Sequence, residues 1–136
     1  MAQSNEGRIQ FANYEIVGKG NLGVVDEVFA TDYVLHAGGK DFKGTTFVRR
    51  FIGQLRSAIP DLRVVEVEFL IHTGDIIAWR RTLSGTHTAD MMGIPPTGQK
   101  VEWRDMVVTR FDGEMIAEDW GISELAGQLL SKFPHA

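Results

Sequence analysis

Residues 84–100, SGTHTADMMGIPPTGQK, join two strand-like runs without forming a short polar turn. Gly85 and Gly93 permit backbone angles that other residues resist, while Pro95 and Pro96 stiffen the exit and donate no backbone hydrogen bond. Between them lie His87 flanked by Thr86 and Thr88, then Asp90 and the adjacent Met91 and Met92. Connections are usually short and polar, and long ones often carry function, so this loop is either a stiff strap with an apolar tip or part of a site.

Outward from the loop the chain reads as antiparallel sheet. Lys100 to Phe111 alternates Val101, Trp103, Asp105, Val107 and Thr109 against Glu102, Arg104, Met106, Val108 and Arg110. Asp112-Gly113 is a tight turn into Met115 to Ile122. On the other side, Leu62 to His72 and Ile76 to Thr86 form a hairpin through Thr73-Gly74-Asp75. A last helix, Glu124 to Lys132, buries Leu125 and Leu129. Upstream the period changes. Ile9, Ala12, Ile16 and Val17 share one helical face, which ends at Gly18 and Gly20. A short helix from Asn21 buries Leu22, Val25, Val28 and Phe29, and Asp32 to His36 is extended and closed by Gly38-Gly39. A longer helix carries Phe47, Phe51, Ile52 and Leu55 opposite Arg49, Arg50 and Arg56, and Pro60 stops it. Helices first and an antiparallel meander after them is an α+β layout, and such a sheet can curl around the long helix to leave an apolar pocket.

Composition narrows the function. The chain of 136 residues is read as a single domain, 1–136, with a core that needs no staples. It has no cysteine, hence no disulfide framework or thiolate metal site, which fits the cytoplasm. A net charge of −4 argues against a nucleic-acid partner. No apolar run reaches membrane-spanning length, and the N-terminus lacks the order of a signal peptide.

A pocket of this kind needs a few polar groups on its wall. The strand period places Trp103 and Asp105 on one face with Val107, a strange neighbourhood for a solvent-facing carboxylate. On the final strand Asp119 shares a face with Ala117 and Gly121, while Glu118 and Trp120 share the other. Asp105 and Asp119 are therefore the candidate catalytic acids, expected at comparable heights on adjacent strands, where one would hold a proton for the other. The alternative is that Asp119 pairs with an arginine such as Arg80 or Arg104. Adjacent arginines cannot both enter a cavity, and Arg80 rather than Arg81 is assigned to the ligand. His36, His87, Asp105 and Asp119 lack the local spacing of a metal site, so neither metal nor cofactor is expected.

Four segments carry a resemblance: GTHT with MMGIPPTGQKV, FATDYVLHAGG, AIPDLRVVEVEFL and RFDGEMIAEDW. From Asn21 to Leu130 they resemble the SnoaL-like polyketide cyclases, the ester-cyclase branch of the nuclear-transport-factor-like superfamily. The resemblance implies a cone-shaped α+β barrel whose sheet wraps the N-terminal helices around an internal pocket. It also implies a dimer or larger assembly packed through the open face of the sheet. It places His87 near the pocket mouth and His36 at its lining, and a flat polyketide-like or aromatic ligand would lie between Trp103 and Trp120. The activity implied is cofactor-free ring closure by intramolecular aldol chemistry. In that family the closing segment has the form G-K-I-x-E-H-W-D, whose aspartate is the acid/base. Here GEMIAEDWG matches Glu118 and Trp120, puts Asp119 at the histidine, and Gly121 at the aspartate. Two further functions follow from the same fold: a non-catalytic binding module, and a related aspartate-based isomerase, lyase or epoxide hydrolase.

Overall fold

The computed structural model describes residues 4–133. The first helix, α1 (Asn5–Phe11), begins where Ser4 accepts a hydrogen bond from the Gly7 N–H at 3.0 Å, with Glu6 in the positively polarised first turn. It runs without a break into a π-helical stretch, Ala12–Gly18, whose wider turn adds Asn13 to the buried side with Ala12, Ile16 and Val17. A 3₁₀ turn (Leu22–Val24) leads into α2 (Val25–Val28), and Val25 and Val28 are buried as expected. Phe29, expected to close that helix, instead opens strand β1 (Phe29–Ala37).

Gly38 and Gly39, at φ 61° and 75°, make the two-residue turn that folds β1 against a strand the sequence did not announce, β2 (Lys40–Lys43). The long helix α3 (Thr45–Ala58) buries Val48, Ile52, Leu55 and Ala58. Phe47 and Phe51 flank that stripe and stack in series with Phe42, at centroid distances of 4.7 Å and 5.9 Å. Then come β3 (Arg63–Thr73), β4 (Ile76–Thr86), β5 (Lys100–Asp112) and β6 (Met115–Ser123), and α4 (Leu125–Leu130). The sheet has six strands in the order β2-β1-β6-β5-β4-β3, and only the β1–β6 pair is parallel. It is the mixed, curved sheet of an α+β fold, with the helices packed on its concave face. No described helix is long and apolar enough to cross a membrane.

The loop from His87 to Gln99 is a strap fixed at several points. The Thr88 N–H donates to Ala58 O (2.8 Å) at the end of α3, and Asp61 accepts from the Thr86 N–H (2.6 Å) and hydroxyl (2.8 Å). Its apolar tip is a two-residue turn with Met92 and Gly93 at positive φ, closed by reciprocal bonds between Met91 and Ile94. Met91 and Ile94 join the core, while Met92 and Gly93 between them are exposed. Gly85 lies at the closest approach of this strap to α3: a Cβ there would stand 2.2 Å from Ile59 Cγ2 and 3.0 Å from Asp61 Oδ1. Overpacking of that kind costs about 1–3 kcal/mol. Gly85→Ala is therefore expected to lower the unfolding free energy by roughly that amount, read from urea denaturation midpoints at unchanged slope.

Candidate functional site

Strand alternation decides which side chains meet on the concave face. Along β5, Val101, Trp103, Asp105, Thr109 and Phe111 are buried. Along β4 the same face carries Ile77, Trp79, Arg81 and Leu83, because Arg81 is the cross-strand partner of Asp105 and Leu83 that of Trp103. Along β6 it carries Asp119 and Gly121, opposite Thr109 and Val107. Leu35, Arg81 and Val107 face inward on interior strands, yet each keeps part of its surface open. These are positions of the concave face that packing does not fully seal.

Two polar groupings occupy this wall. In the first, Arg81 Nε donates to Asp105 Oδ2 at 2.9 Å and Arg81 Nη1 donates to Asn13 Oδ1 at 2.9 Å. Asn13 Nδ2 is tied in turn to Ile9 O (2.9 Å), and the guanidinium carbon sits 5.6 Å from the Trp79 ring centroid. Asp105 Oδ1 is buried without a partner. In the second, Asp119 accepts from the Tyr33 hydroxyl at Oδ2 (2.7 Å) and from the Thr109 hydroxyl at Oδ1 (2.5 Å), while Thr109 Oγ1 accepts from Trp79 Nε1 (2.9 Å). Burial pushes the Asp119 carboxyl above its ordinary value of 3.8, with the two hydroxyl donors and the Arg81 charge pulling the other way. Burial, then the neighbouring Asp119, pushes the Tyr33 phenol well above its usual range and keeps it a donor.

The two acids do not form a coupled pair. Asp105 pairs with Ser123 and Asp119 with Thr109, which separates them by four positions along the strand, roughly 13 Å at the strand rise. The arginine that neutralises an acid here is Arg81, and it takes Asp105 rather than Asp119.

Three of the expected ligand-binding residues lie on the opposite face. Arg80 points outward and bonds Glu68 at 2.5 Å, since β4 can turn only one of two adjacent arginines inward. His36 pairs with Trp120 in the β1–β6 ladder, whereas Leu35 pairs with inward-facing Asp119, so both His36 and Trp120 face out. There they stack at 5.3 Å and 22°, and the His36 ring nitrogens lie 2.6 Å from Asp41 and 2.5 Å from Glu118. Those two carboxylates, Glu118 first, raise the His36 pKa, and His36 with Arg110 lowers that of Glu118. The larger described depression, about 630 Å³, is this outer groove, lined chiefly by His36, Met106, Val108, Trp120 and Ile122, with Trp79, Val107 and Gly121 also at its floor. Neither described depression is the expected internal pocket, and Trp103 with the core residues around it packs on the concave face instead. His87 is inward and fully buried: Nδ1 accepts from the Thr97 N–H at 3.1 Å, which leaves the proton on Nε2, itself unpartnered. Arg81, Asn13, Tyr33 and Thr109 were not singled out from the sequence. Arg81 was readable, since it shares the Trp79 face; Asn13 was not, since nothing marks a π-helix in advance.

Comparison with known proteins adds the family. The model of the SnoaL-like polyketide cyclases matches residues 8–130. The chain belongs to the SnoaL-like polyketide cyclase family. Among solved structures it is similar to IdmH, a candidate polyketide cyclase from Streptomyces antibioticus, with 26% identity over 96% of this chain and 98% of that one at a TM-score of 0.80. AclR from Streptomyces galilaeus, described as a candidate hydroxylase, is also 26% identical, over 96% of this chain and 100% of that one, at 0.74. A SnoaL-like protein from Jannaschia sp. CCS1 shares the fold at a TM-score of 0.83 with 19% identity, over 99% of each chain. Among curated proteins no significant match is found. Against the family's closing segment, Gly121 stands on the concave face where the acid/base aspartate is expected, opposite Val107.

Burial of Asp119 sets a pH dependence. A carboxyl whose folded-state pKa is raised contributes its full stability below the unfolded value and loses it as pH rises through the folded one. Asp119→Asn removes that titration. The stability of the variant relative to the parent is therefore expected to be level below pH 3.8 and to climb above it. Urea unfolding between about pH 3 and pH 8 measures the trend, and a pH-independent difference would count against the raised value.

Proposed function

We propose that the chain is a cofactor-independent cyclase-type enzyme. It binds a flat polyketide-like or aromatic small molecule in the concave cleft and closes a ring by intramolecular aldol addition. The observation that carries this reading is Asp105: buried, fixed through one oxygen by Arg81, and left with its other oxygen unpartnered. A carboxylate oxygen with no partner in an apolar wall is costly, and a reacting proton would satisfy it. Asp105 Oδ1 takes a hydrogen from a carbon flanked by carbonyls, and the carbon–hydrogen pair becomes the enolate double bond. The enolate carbon then attacks a second carbonyl of the same molecule, and the alkoxide so formed recovers the proton from Asp105. Asp119 supports this from a distance, since both of its oxygens are engaged by Tyr33 and Thr109. His87 and Trp103 are also buried, and His87 Nε2 is unpartnered.

One observation favours a second reading, a non-catalytic binding module: the glycine at position 121 in place of an acid. Turnover of a linear aromatic β-keto ester with parallel ligand-affinity measurements separates the two. Asp105→Asn is expected to lower kcat by about 10²–10⁴-fold with affinity retained, the usual contribution of a positioned acid/base. Asp119→Asn is expected to act far less on kcat. Affinity without any Asp105-dependent turnover would establish the binding module instead.

We further propose that two copies pair through the outer face. Ile71, Met106, Trp120 and Ile122 are large, apolar and exposed there, and lie across β3, β5 and β6. Ile122→Glu should shift light-scattering mass toward the monomer with the far-ultraviolet circular dichroism unchanged.

A further inference from the structure

One wall of the outer groove is the run from His36 to Asp41: the end of β1, its two-residue turn and the start of β2. This hairpin is an edge of the sheet. It reaches the meander through β6 alone, by the parallel pair, whose register breaks between Phe29 and Val34. A row of charged side chains ties it down on the outer face. Asp41, directly opposite His36 on β2, lies 2.6 Å from His36 Nδ1, and Glu118 on β6 lies 2.5 Å from His36 Nε2. Glu118 in turn accepts from Arg110 Nε on β5 at 3.0 Å. Lys40 and Lys43 on β2 stand opposite Ala37 and Val34 instead, and Trp120 stacks on the imidazole. Charge therefore alternates across four strands, and His36 is the one link that can lose its charge near neutral pH.

Two carboxylates on one imidazole need two N–H donors, and only the imidazolium has two. In the neutral ring one nitrogen carries a lone pair, which repels the carboxylate in front of it. Glu118 is the less exposed of the two acids and has Arg110 to orient it. Asp41 stands mostly in water and bonds only His36 among the described residues. The remaining proton therefore stays on Nε2, and Asp41 is the jaw that opens. We propose that His36 is a proton-operated latch: as the imidazolium it fastens the β1–β2 hairpin to β6, and as the neutral ring it frees Asp41 and lets the hairpin wall of the outer groove swing away. The latch depends on neither the ring-closing reading nor the pairing of copies. Glu118 first, then Asp41, raise the His36 pKa above its ordinary value of 6.5. A raised histidine contributes its full stability below the value of the free ring and loses it as pH rises through the raised one. Acid closes the wall and alkali opens it.

Isotope-edited NMR of the full chain between about pH 5 and pH 9, where a raised histidine gives up its proton, tests the latch. The His36 ring should titrate above an unperturbed histidine and lose its Nδ1 proton while Nε2 keeps its own. Over the same span the amides of the β1–β2 hairpin should lose protection from hydrogen exchange, after correction for the intrinsic rate at each pH. The loss should be about tenfold for each pH unit by which the ring's pKa is raised, since both read one equilibrium. The β3–β4 hairpin should keep its protection. Asp41→Asn should leave the β1–β2 protection level with pH, because an amide can turn its oxygen to an N–H or its own N–H to a lone pair. Glu118→Gln should lower the His36 pKa more than Asp41→Asn does. A His36 that titrates as a free imidazole, or that gives up its Nε2 proton, would overturn the latch. So would hairpin protection that stays level in the parent, or that falls equally in Asp41→Asn. Should a variant fail to fold, the parent titration alone decides.

Discussion

A charge drawn out of water has to be answered inside the protein, and the concave wall of this sheet holds two acids and one arginine. Arg81 answers Asp105 by direct contact, which leaves Asp119 to neutral donors. Hydroxyls stabilise a carboxylate less than a cation does, so burial prevails and lifts the Asp119 pKa. The elements outside the meander are placed accordingly. Strand β1 supplies Tyr33, the π-helical stretch supplies Asn13, and Trp79 on β4 serves both groupings, bonding Thr109 through its nitrogen and contacting Arg81 through its ring. Removing the Tyr33 hydroxyl would leave Asp119 Oδ2 buried without a partner, a larger penalty than the loss of a surface contact.

Much of this was legible in the sequence where a single physical signal was strong. The two-residue period of β5 and β6 placed Asp105, Trp103 and Asp119 on one face and Trp120 on the other, and the burial of those strands agrees. Strand β1 gave no such signal: its face is set by its parallel partner β6, and its own burial does not alternate, so His36 could not be assigned to a side. The loss of Trp120 from the site follows from the same alternation that placed Asp119 within it. Equal height for the two acids is ruled out by the register set at the turn. Asp105 lies seven residues before Asp112 and Asp119 four after Met115, and strands pair outward from their turn, so the two could not face each other. Strand β2 escaped because Lys40–Lys43 is too short and polar to show a pattern; only the Gly38-Gly39 turn hinted at it.

The family membership and the residues of the cleft pull in different directions at one position. Gly121 is not imposed by crowding, since a Cβ there would meet Leu35 Cδ1 at an ordinary 3.7 Å. A larger side chain could begin at that point, yet the chain has none. Its interior acids stand instead on the neighbouring strand, beside an arginine, and two residues earlier on β6. The two similar structures at 26% identity are a candidate polyketide cyclase and a candidate hydroxylase, and one fold hosts many activities.

The π-helical turns of Ala12–Gly18 have a consequence for how this wall could change over generations. A helix underwound in this way accommodates surplus length, so loss of one codon within the segment would let it return to the ordinary α-helical turn without breaking. Every side chain beyond the deletion would then swing around the axis, and the amide that steadies Arg81 would leave the wall. The chemistry of the cleft is thus exposed to a small genetic event in a helix that never touches the sheet's own sequence, a route by which descendants could diverge while the barrel stayed intact.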